Sequence, residues 1–170
     1  MNTRILESER LILKPLSFNE LVHINNNEIN NLEISIELDA IPDSVSSAIS
    51  KKLRKMKNVN SKIHYWYTYW LIIDKNTEKG IGFIGFKGVP DINGYSEVGY
   101  NISPNYRKKG FMKEALKLLL KWTSTYKECN GITAKKVLKT NVGSNKVLNS
   151  CNFKLVNYNE QENNYLLKFE

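Results

Sequence analysis

The sequence predicts an α/β fold: a single domain, residues 1–170, with a mixed, mostly antiparallel sheet flanked by helices. Three observations predict it. The 170 residues suit one ordinary domain, with 41% hydrophobic and 25% charged residues. Strand-like and helical hydrophobic periods follow in the order strand, two helices, three strands, helix, strand, helix and two strands. Three consecutive strands joined by short turns form an antiparallel meander, which excludes a doubly wound parallel sheet.

Capping residues and hydrophobic spacing place the elements of the first half of the chain. Ser17 and Glu20 have the spacing of a capping box, so a helix is expected after them. Asp43 or Ser44 is expected to cap a second helix, whose basic run at residues 51–57 forms a solvated face. The expected elements are a strand at 9–16, helices at 18–24 and 45–56, and strands at 64–74, 81–89 and 95–103.

The second half contains the strongest helical pattern in the sequence. Met112, Leu116 and Leu119 belong to an apolar stripe that is expected to reach Tyr126, and Gly131 breaks the pattern. Asn152 follows the last helix at a position typical of a left-handed cap residue. The expected elements are a helix at 111–126, a strand at 132–140, a helix at 144–151, and strands at 153–158 and 164–169.

The chain carries 25 basic and 17 acidic residues, a net charge of +8. That balance is typical of a protein that binds nucleic acid, a membrane surface or a small polyanion, or it reflects a Lys-, Asn- and Ile-rich composition without function. Cys129 and Cys151 are expected to be free thiols, and with only two histidines no metal site is expected. Short apolar stretches and a charged N-terminus predict a cytoplasmic protein with no membrane partner.

The segment from Glu97 to Ala115 joins a strand, a basic loop and the start of the strongest helix. Arg107, Lys108 and Lys109 precede Gly110, which opens that helix. The first helical turn leaves about four backbone N–H groups without partners at the positive end of the helix dipole. A glycine there lets an anion approach the backbone. The segment therefore predicts a diphosphate site, with a solvated loop as the alternative.

This segment resembles the acetyl-CoA-binding core of the GNAT N-acetyltransferase superfamily. Arg107 and Gly110 match its Gln/Arg-x-x-Gly-x-Gly/Ala loop, whereas Met112 departs from the last position. Residues 140–154 are similar to the family's Asn-x-x-Ser…Leu…Gly-Phe signature, with Asn152 in place of the glycine. The opening sequence Ser-Glu-Arg-Leu-Ile-Leu-Lys-Pro-Leu also resembles the first strand of the branch that acetylates ribosomal-protein N-termini.

The resemblance implies a GNAT fold in which acetyl-CoA binds as cosubstrate, without a metal. In this family the pantetheine arm lies where two strands splay apart, which implies residues 98–102 here. The diphosphate is then assigned to the amides of residues 107–112. The implied cofactor-binding residues are Tyr100, Asn101, Ile102, Arg107, Lys108, Lys109, Gly110, Phe111, Met112, Asn141, Asn145 and Lys146.

Glu97 and Ser144 are the implied catalytic residues. Glu97 either accepts the proton of the amine, directly or through water, or is an outward-facing strand carboxylate. Ser144 matches the residue that serves the leaving thiolate in the ribosomal-protein branch, or it caps the last helix, and one hydroxyl can do both. Many relatives use a tyrosine in that helix, but Lys146, Val147 and Leu148 occupy the region here.

The predicted function is an acetyl-CoA-dependent N-acetyltransferase. It would transfer an acetyl group to a primary amine, a protein N-terminus or a small molecule, by direct attack in a ternary complex. The alternatives are a non-catalytic acyl-CoA-binding module of the same fold and, less favoured, a basic nucleic-acid-binding domain. The sequence leaves open the acceptor, the acyl group and the oligomeric state, a homodimer included.

Overall fold

A computed structural model describes residues 4–170, in which eight strands form one sheet and four α-helices flank it. The strands are β1 (Leu6–Glu7), β2 (Leu11–Pro15), β3 (Tyr69–Asp74), β4 (Lys79–Phe86), β5 (Tyr95–Ile102), β6 (Gly131–Leu138), β7 (Lys154–Tyr158) and β8 (Glu162–Lys168). The helices are α1 (Phe18–Asn25), α2 (Asp43–Met56), α3 (Phe111–Thr123) and α4 (Val142–Ser150). The predicted fold class is confirmed.

The spatial order of the strands is β1-β2-β3-β4-β5-β6-β8-β7. The predicted meander of β3, β4 and β5 is antiparallel, as are the other strand pairs except β5–β6. The parallel β5–β6 pair is short, because only Tyr95–Glu97 is in register with Gly131–Thr133. Beyond Glu97 the two strands separate, so within the described residues 4–170 the β5 edge that faces β6 has no strand partner as far as Ile102. The sheet is therefore forked at its centre.

Two hydrophobic cores cover the two faces of the sheet. Helix α3 packs Leu116 and Leu119 into one core, together with Trp70 of β3 and Val98 of β5. Helices α1 and α2 pack against the opposite face, where the second core forms. The amphipathic stripe of α3 fixes which face of the helix is buried, and the short loop after β5 brings the N-terminus of the helix close to the end of that strand.

Several predicted element boundaries, and the predicted cap of α2, are wrong. Residues 64–68 are not part of a strand, because Ser61–Trp66 forms a 3-10 helix that packs Trp66 against Trp122, with ring centroids 5.1 Å apart. The capping box of α1 is confirmed, but α2 begins after Pro42 without a side-chain cap. Helix α3 ends at Thr123 rather than at the predicted Tyr126, and the hydroxyls of Thr123 and Thr125 bond to carbonyls of its last turn.

The basic run of α2 is not entirely solvated, because Lys52 is only 7% exposed. Its ammonium donates hydrogen bonds to the carbonyls of Phe86 at 2.8 Å and Tyr67 at 3.1 Å. It also lies 4.4 Å from the centre of the Tyr69 ring. Burial, followed by the charges of neighbouring lysines, lowers the pKa of Lys52 to about 7. This residue joins α2 to the sheet rather than facing solvent.

Candidate active site

A cleft of about 510 Å³ opens between the free edge of β5, the loop before α3 and the first turn of α4. Ten of the twelve residues predicted to bind the cofactor line it, and so does Ser144. The ten are Tyr100, Asn101, Ile102, Arg107, Lys108, Gly110, Phe111, Met112, Asn141 and Lys146. Sequence reasoning did not single out four other lining residues, Tyr106, Lys113, Gly143 and Val147.

Helix α3 begins at the cleft without a side-chain cap. Gly110 is its N-cap residue, with a φ of 81° in the left-handed region, and Lys108 is also left-handed at 61°. Glycine reaches this region without the steric cost that a Cβ brings. Within residues 4–170 no side chain caps this helix start with a hydrogen bond, so the N–H groups of the first turn remain available to a ligand. Such an end attracts an anion through its free donors and its dipole.

A long-range contact that the sequence did not reveal holds this helix start in place. Glu114 accepts hydrogen bonds from Ser8 Oγ at 2.7 Å, from Arg10 N at 3.0 Å and from Arg10 Nε at 2.7 Å. The Arg10 guanidinium also lies 4.3 Å from the centre of the Phe111 ring and donates to the Lys109 carbonyl. Burial alone would raise the pKa of Glu114, but these hydrogen bonds outweigh it and lower the pKa.

Asn101, which lines the cleft, has a side-chain acceptor that the fold leaves unused. Its Oδ1 atom is buried and has no hydrogen-bond partner among residues 4–170. A buried acceptor without a partner costs free energy, so a ligand that supplies an N–H donor there would gain from it. The residue stands on the part of β5 that has separated from β6. Such an orphaned acceptor suits a ligand that carries amide N–H groups.

Ser144 does not cap α4, so the alternative role predicted for it as a helix cap is wrong. The helix begins two residues earlier than predicted, and Asn141 is its N-cap residue, whose side chain accepts from Ser144 N at 3.1 Å. The hydroxyl of Ser144 is consequently free of capping and lies 2.9 Å from the hydroxyl of Tyr100. Burial raises the pKa of Tyr100 to about 12, although the Ser144 contact opposes the rise. Asn152 is left-handed, as predicted, with a φ of 66°.

Three predicted site residues lie away from the cleft lining. Glu97 is at the last paired position before the fork, and its carboxylate forms an ion pair with Lys87. Asn145 is engaged inside the fold, because its amide donates to the Asn141 carbonyl and its Oδ1 accepts from Tyr165 at 2.5 Å. Lys109 lines a different cavity, on the other side of the loop.

That second cavity, of about 570 Å³, is lined by charged groups of both signs and by Tyr106 and Phe111, which also line the cleft.

No cluster of three or more His, Cys, Asp or Glu among residues 4–170 is arranged to hold a metal ion. Within the same residues, no helix combines the length and apolar character needed to cross a bilayer.

The sequence matches a family of known proteins. Residues 10–154 match the family described as acetyltransferase (GNAT) domain. The chain is 33% identical to the uncharacterized N-acetyltransferase YjdG of Bacillus subtilis (strain 168) over 93 residues. This aligned segment is 55% of this chain and 54% of the relative. It is 40% identical to the uncharacterized N-acetyltransferase p20 of Bacillus licheniformis over 82 residues, a segment that is 48% of this chain and 46% of that relative. The chain thus spans about half the length of the curated relatives it matches.

Solved structures share the fold over nearly the whole chain. The ribosomal L7/L12 α-N-protein acetyltransferase RimL matches with a TM-score of 0.67 and 16% identity, covering 97% of this chain and 98% of that one. RimL in complex with coenzyme A gives 0.66 and 17%, covering 98% of both chains. The microcin C7 self-immunity acetyltransferase MccE, in complex with acetyl-CoA and AMP, gives 0.65 and 17%, covering 95% and 94%.

Proposed function

Because the chain belongs to the GNAT acetyltransferase family, we propose that it is an acetyl-CoA-dependent N-acetyltransferase acting on a primary amine. The observation that carries the proposal is the forked sheet, whose free β5 edge and uncapped α3 N-terminus meet in one cleft. Transfer would be direct, with acetyl-CoA and the amine bound together. The proposal treats residues 1–170 as one N-acetyltransferase domain.

The cleft residues suit the parts of coenzyme A in turn. The backbone N–H groups that follow Lys108, opened by Gly110, suit the diphosphate, and Arg107 and Lys108 add positive charge. The free edge of β5 and the unpaired Oδ1 of Asn101 suit the two amides of the pantetheine arm. Bound there, acetyl-CoA supplies an activated acetyl thioester beside the first turn of α4.

The chemistry requires a neutral amine, a C–N bond that forms and a C–S bond that breaks. An alkylammonium has a pKa of about 10, so it must lose a proton before it attacks. We assign that proton to Glu97, with a water molecule as carrier because Glu97 does not line the cleft. The electron pair of the broken C–S bond stays on sulfur. We assign the hydroxyl of Ser144, which lines the cleft, to donate a hydrogen bond to this thiolate.

A second candidate function is a module that binds acyl-CoA without catalysis. The ion pair between Glu97 and Lys87 favours it, because that contact occupies the carboxylate proposed as the base. This candidate predicts coenzyme A binding without turnover on any amine.

Two measurements test the proposal. Acetyl-CoA affinity is measured calorimetrically for the double variant Arg107→Ala/Gly110→Asp, with Arg54→Ala on the exposed face of α2 as the control for a lost positive charge. We expect affinity to fall about 100-fold or more in the double variant and to stay unchanged in the control. Unchanged affinity in the double variant would refute the diphosphate site.

The second measurement is a mass-spectrometric screen for acetylated products. The amines offered to the wild-type protein are small polyamines, aminoglycosides and peptides with a free N-terminus. The peptides are included because a structural neighbour is named as an acetyltransferase of a ribosomal-protein N-terminus. An acetylated amine supports transfer, whereas tight acetyl-CoA binding with no product on the whole panel supports the non-catalytic candidate.

A further inference from the structure

The hydroxyls of Tyr100 and Ser144 meet across the cleft. Tyr100 comes from the free part of β5 and Ser144 from the first turn of α4, and their oxygens are 2.9 Å apart. Both residues line the cleft. Serine in a helix commonly bonds to a carbonyl one turn back. Ser144 does not, and among residues 4–170 its hydroxyl has no other hydrogen-bond partner than Tyr100.

The direction of this hydrogen bond follows from the surroundings of the phenol. Tyr100 keeps its proton because burial raises its pKa to about 12. The nearest acceptor for that proton is Ser144 Oγ at 2.9 Å, since the Ser144 carbonyl is 3.4 Å away. With Tyr100 donating to Ser144 Oγ, the single proton of the serine hydroxyl is left for a group in the cleft. The positive end of the α4 dipole favours an anion at the same point.

We propose that Tyr100 is a positioning residue, which orients Ser144 so that the serine donates its hydrogen bond to the sulfur of the acetyl-CoA thioester. The inference rests on the proposed function and deepens it. It explains how a chain without a tyrosine in α4 still places a phenol at this end of the cleft: the phenol comes from β5. As the C–N bond forms and the C–S bond breaks, the electron pair moves to sulfur, and the serine hydrogen bond stabilises the thiolate. The ammonium has already given one proton to Glu97, and the nitrogen loses a second proton as the amide forms. Water carries this second proton to the thiolate, so coenzyme A leaves as a thiol and no further reactant is needed.

A spectroscopic test reads the thiol of bound coenzyme A and needs no turnover. The thiolate is followed by ultraviolet absorbance while complexes of wild type, Tyr100→Phe, Ser144→Ala and Tyr165→Phe are titrated with base. Tyr165→Phe is the matched control, because it removes a buried phenol that bonds to Asn145 of α4 rather than to Ser144. At pH 7.5 we expect the bound thiolate fraction to fall about tenfold in Tyr100→Phe and Ser144→Ala, the effect of about one hydrogen bond, and to persist in Tyr165→Phe.

A kinetic test separates positioning from packing, once an acceptor amine is known. Tyr100→Phe keeps the ring, so the KM for acetyl-CoA should stay the same while kcat falls about tenfold. Ser144→Ala should lower kcat about 100-fold, whereas Ser144→Thr should keep most of the wild-type kcat. Adding Tyr100→Phe to Ser144→Ala should lower kcat no further.

A wild-type thiolate fraction in Tyr100→Phe, or equal losses from Tyr100→Phe and Tyr165→Phe, would overturn the inference. A wild type that acetylates no amine would refute the proposed function, and the thiolate titration would still decide the role of Tyr100.

Discussion

Two cavities of similar volume, about 510 and 570 Å³, lie on either side of the loop that leads into α3. They share the rings of Tyr106 and Phe111 as a common wall, yet their polar groups differ in kind. Cavity volume therefore does not identify the binding site of this protein. What distinguishes the cleft is hydrogen-bonding capacity that the fold leaves unused.

In the second cavity the charged groups are mostly paired within the fold. Arg10 bonds to Glu114, and Lys75 bonds to Glu7 at 3.1 Å. Asp74 accepts from Asn76 N and from the hydroxyl of Thr77, which closes the turn after β3. These partners satisfy the charges, so a ligand would have to displace them at a cost.

In the cleft, by contrast, several groups keep hydrogen-bonding capacity or charge that no partner uses. Among the residues that the structure describes, the β5 edge facing β6 has no strand partner beyond Glu97, and the Oδ1 atom of Asn101 has no hydrogen-bond partner. No salt bridge joins Lys108 or Lys146 to a carboxylate within residues 4–170. We therefore expect the cleft, and not the second cavity, to bind acetyl-CoA.

The largest expected effect comes from filling each cavity separately. Gly143 lines the cleft, and an added Cβ there would meet only Asn141 Oδ1, at 3.9 Å. Gly143→Phe should therefore fold normally and weaken acetyl-CoA binding about 100-fold or more, because the ring occupies the cofactor's space. Asn76→Phe places the same ring at the second cavity, on an exposed turn, and should leave affinity unchanged.

Isothermal titration calorimetry measures both affinities, and thermal melting checks that both variants are folded. The reverse pattern, in which Asn76→Phe blocks acetyl-CoA binding and Gly143→Phe does not, would show that the second cavity is the binding site. Equal losses in both variants would mean that the two cavities act as one site.

A smaller effect is expected at the wall between the cavities. Glu114→Gln keeps the shape of the side chain but weakens its hydrogen bonds with Ser8 and Arg10, which should lower the free energy of unfolding by about 1–2 kcal/mol. Since the folded-state pKa of Glu114 is lowered, its stabilisation is present above the ordinary value of 4.5 and is lost as pH falls below it. Urea unfolding at pH 7 and pH 3 tests this.

The difference between wild type and Glu114→Gln should therefore shrink from pH 7 to pH 3. The exposed Glu128→Gln variant controls for the loss of a negative charge and should match wild type at both pH values. If the difference in the free energy of unfolding between wild type and Glu114→Gln is constant with pH, the charge of Glu114 does not stabilise the start of α3.

The smallest effect separates the lysines of the two cavities. Lys146→Ala removes a cleft cation and should weaken acetyl-CoA binding about threefold at low salt, with a smaller loss at high salt because ions screen exposed charges. Lys75→Ala removes a cation of the second cavity that is paired with Glu7, so affinity should change less than twofold. Titrations at two salt concentrations measure both, and an equal, salt-independent loss would contradict the assignment.

Much of the fold and cleft could be predicted from local sequence. The capping box at Ser17, the meander and the glycine that opens α3 all depend on residues close together in the chain, where periodicity and backbone preference decide the structure. Most predicted cofactor residues line the cleft for the same reason, since they follow one another along β5, the loop and α3.

The contacts that were missed join distant parts of the chain. Arg10 and Glu114 are 104 residues apart, and Tyr100 and Ser144 are 44 apart. Lys52 looked like part of a solvated basic run, yet the carbonyl of Phe86 gives it a buried partner from another element. Residue type and spacing carry no signal for such pairs, because each depends on how the elements pack in space.

The most direct test of the central claim is a crystal structure of the protein with coenzyme A. We expect the diphosphate to accept hydrogen bonds from the backbone N–H groups at the start of α3, around Gly110, and the pantetheine arm to lie along the free edge of β5. A diphosphate held in the second cavity, or a pantetheine arm outside the fork between β5 and β6, would contradict it.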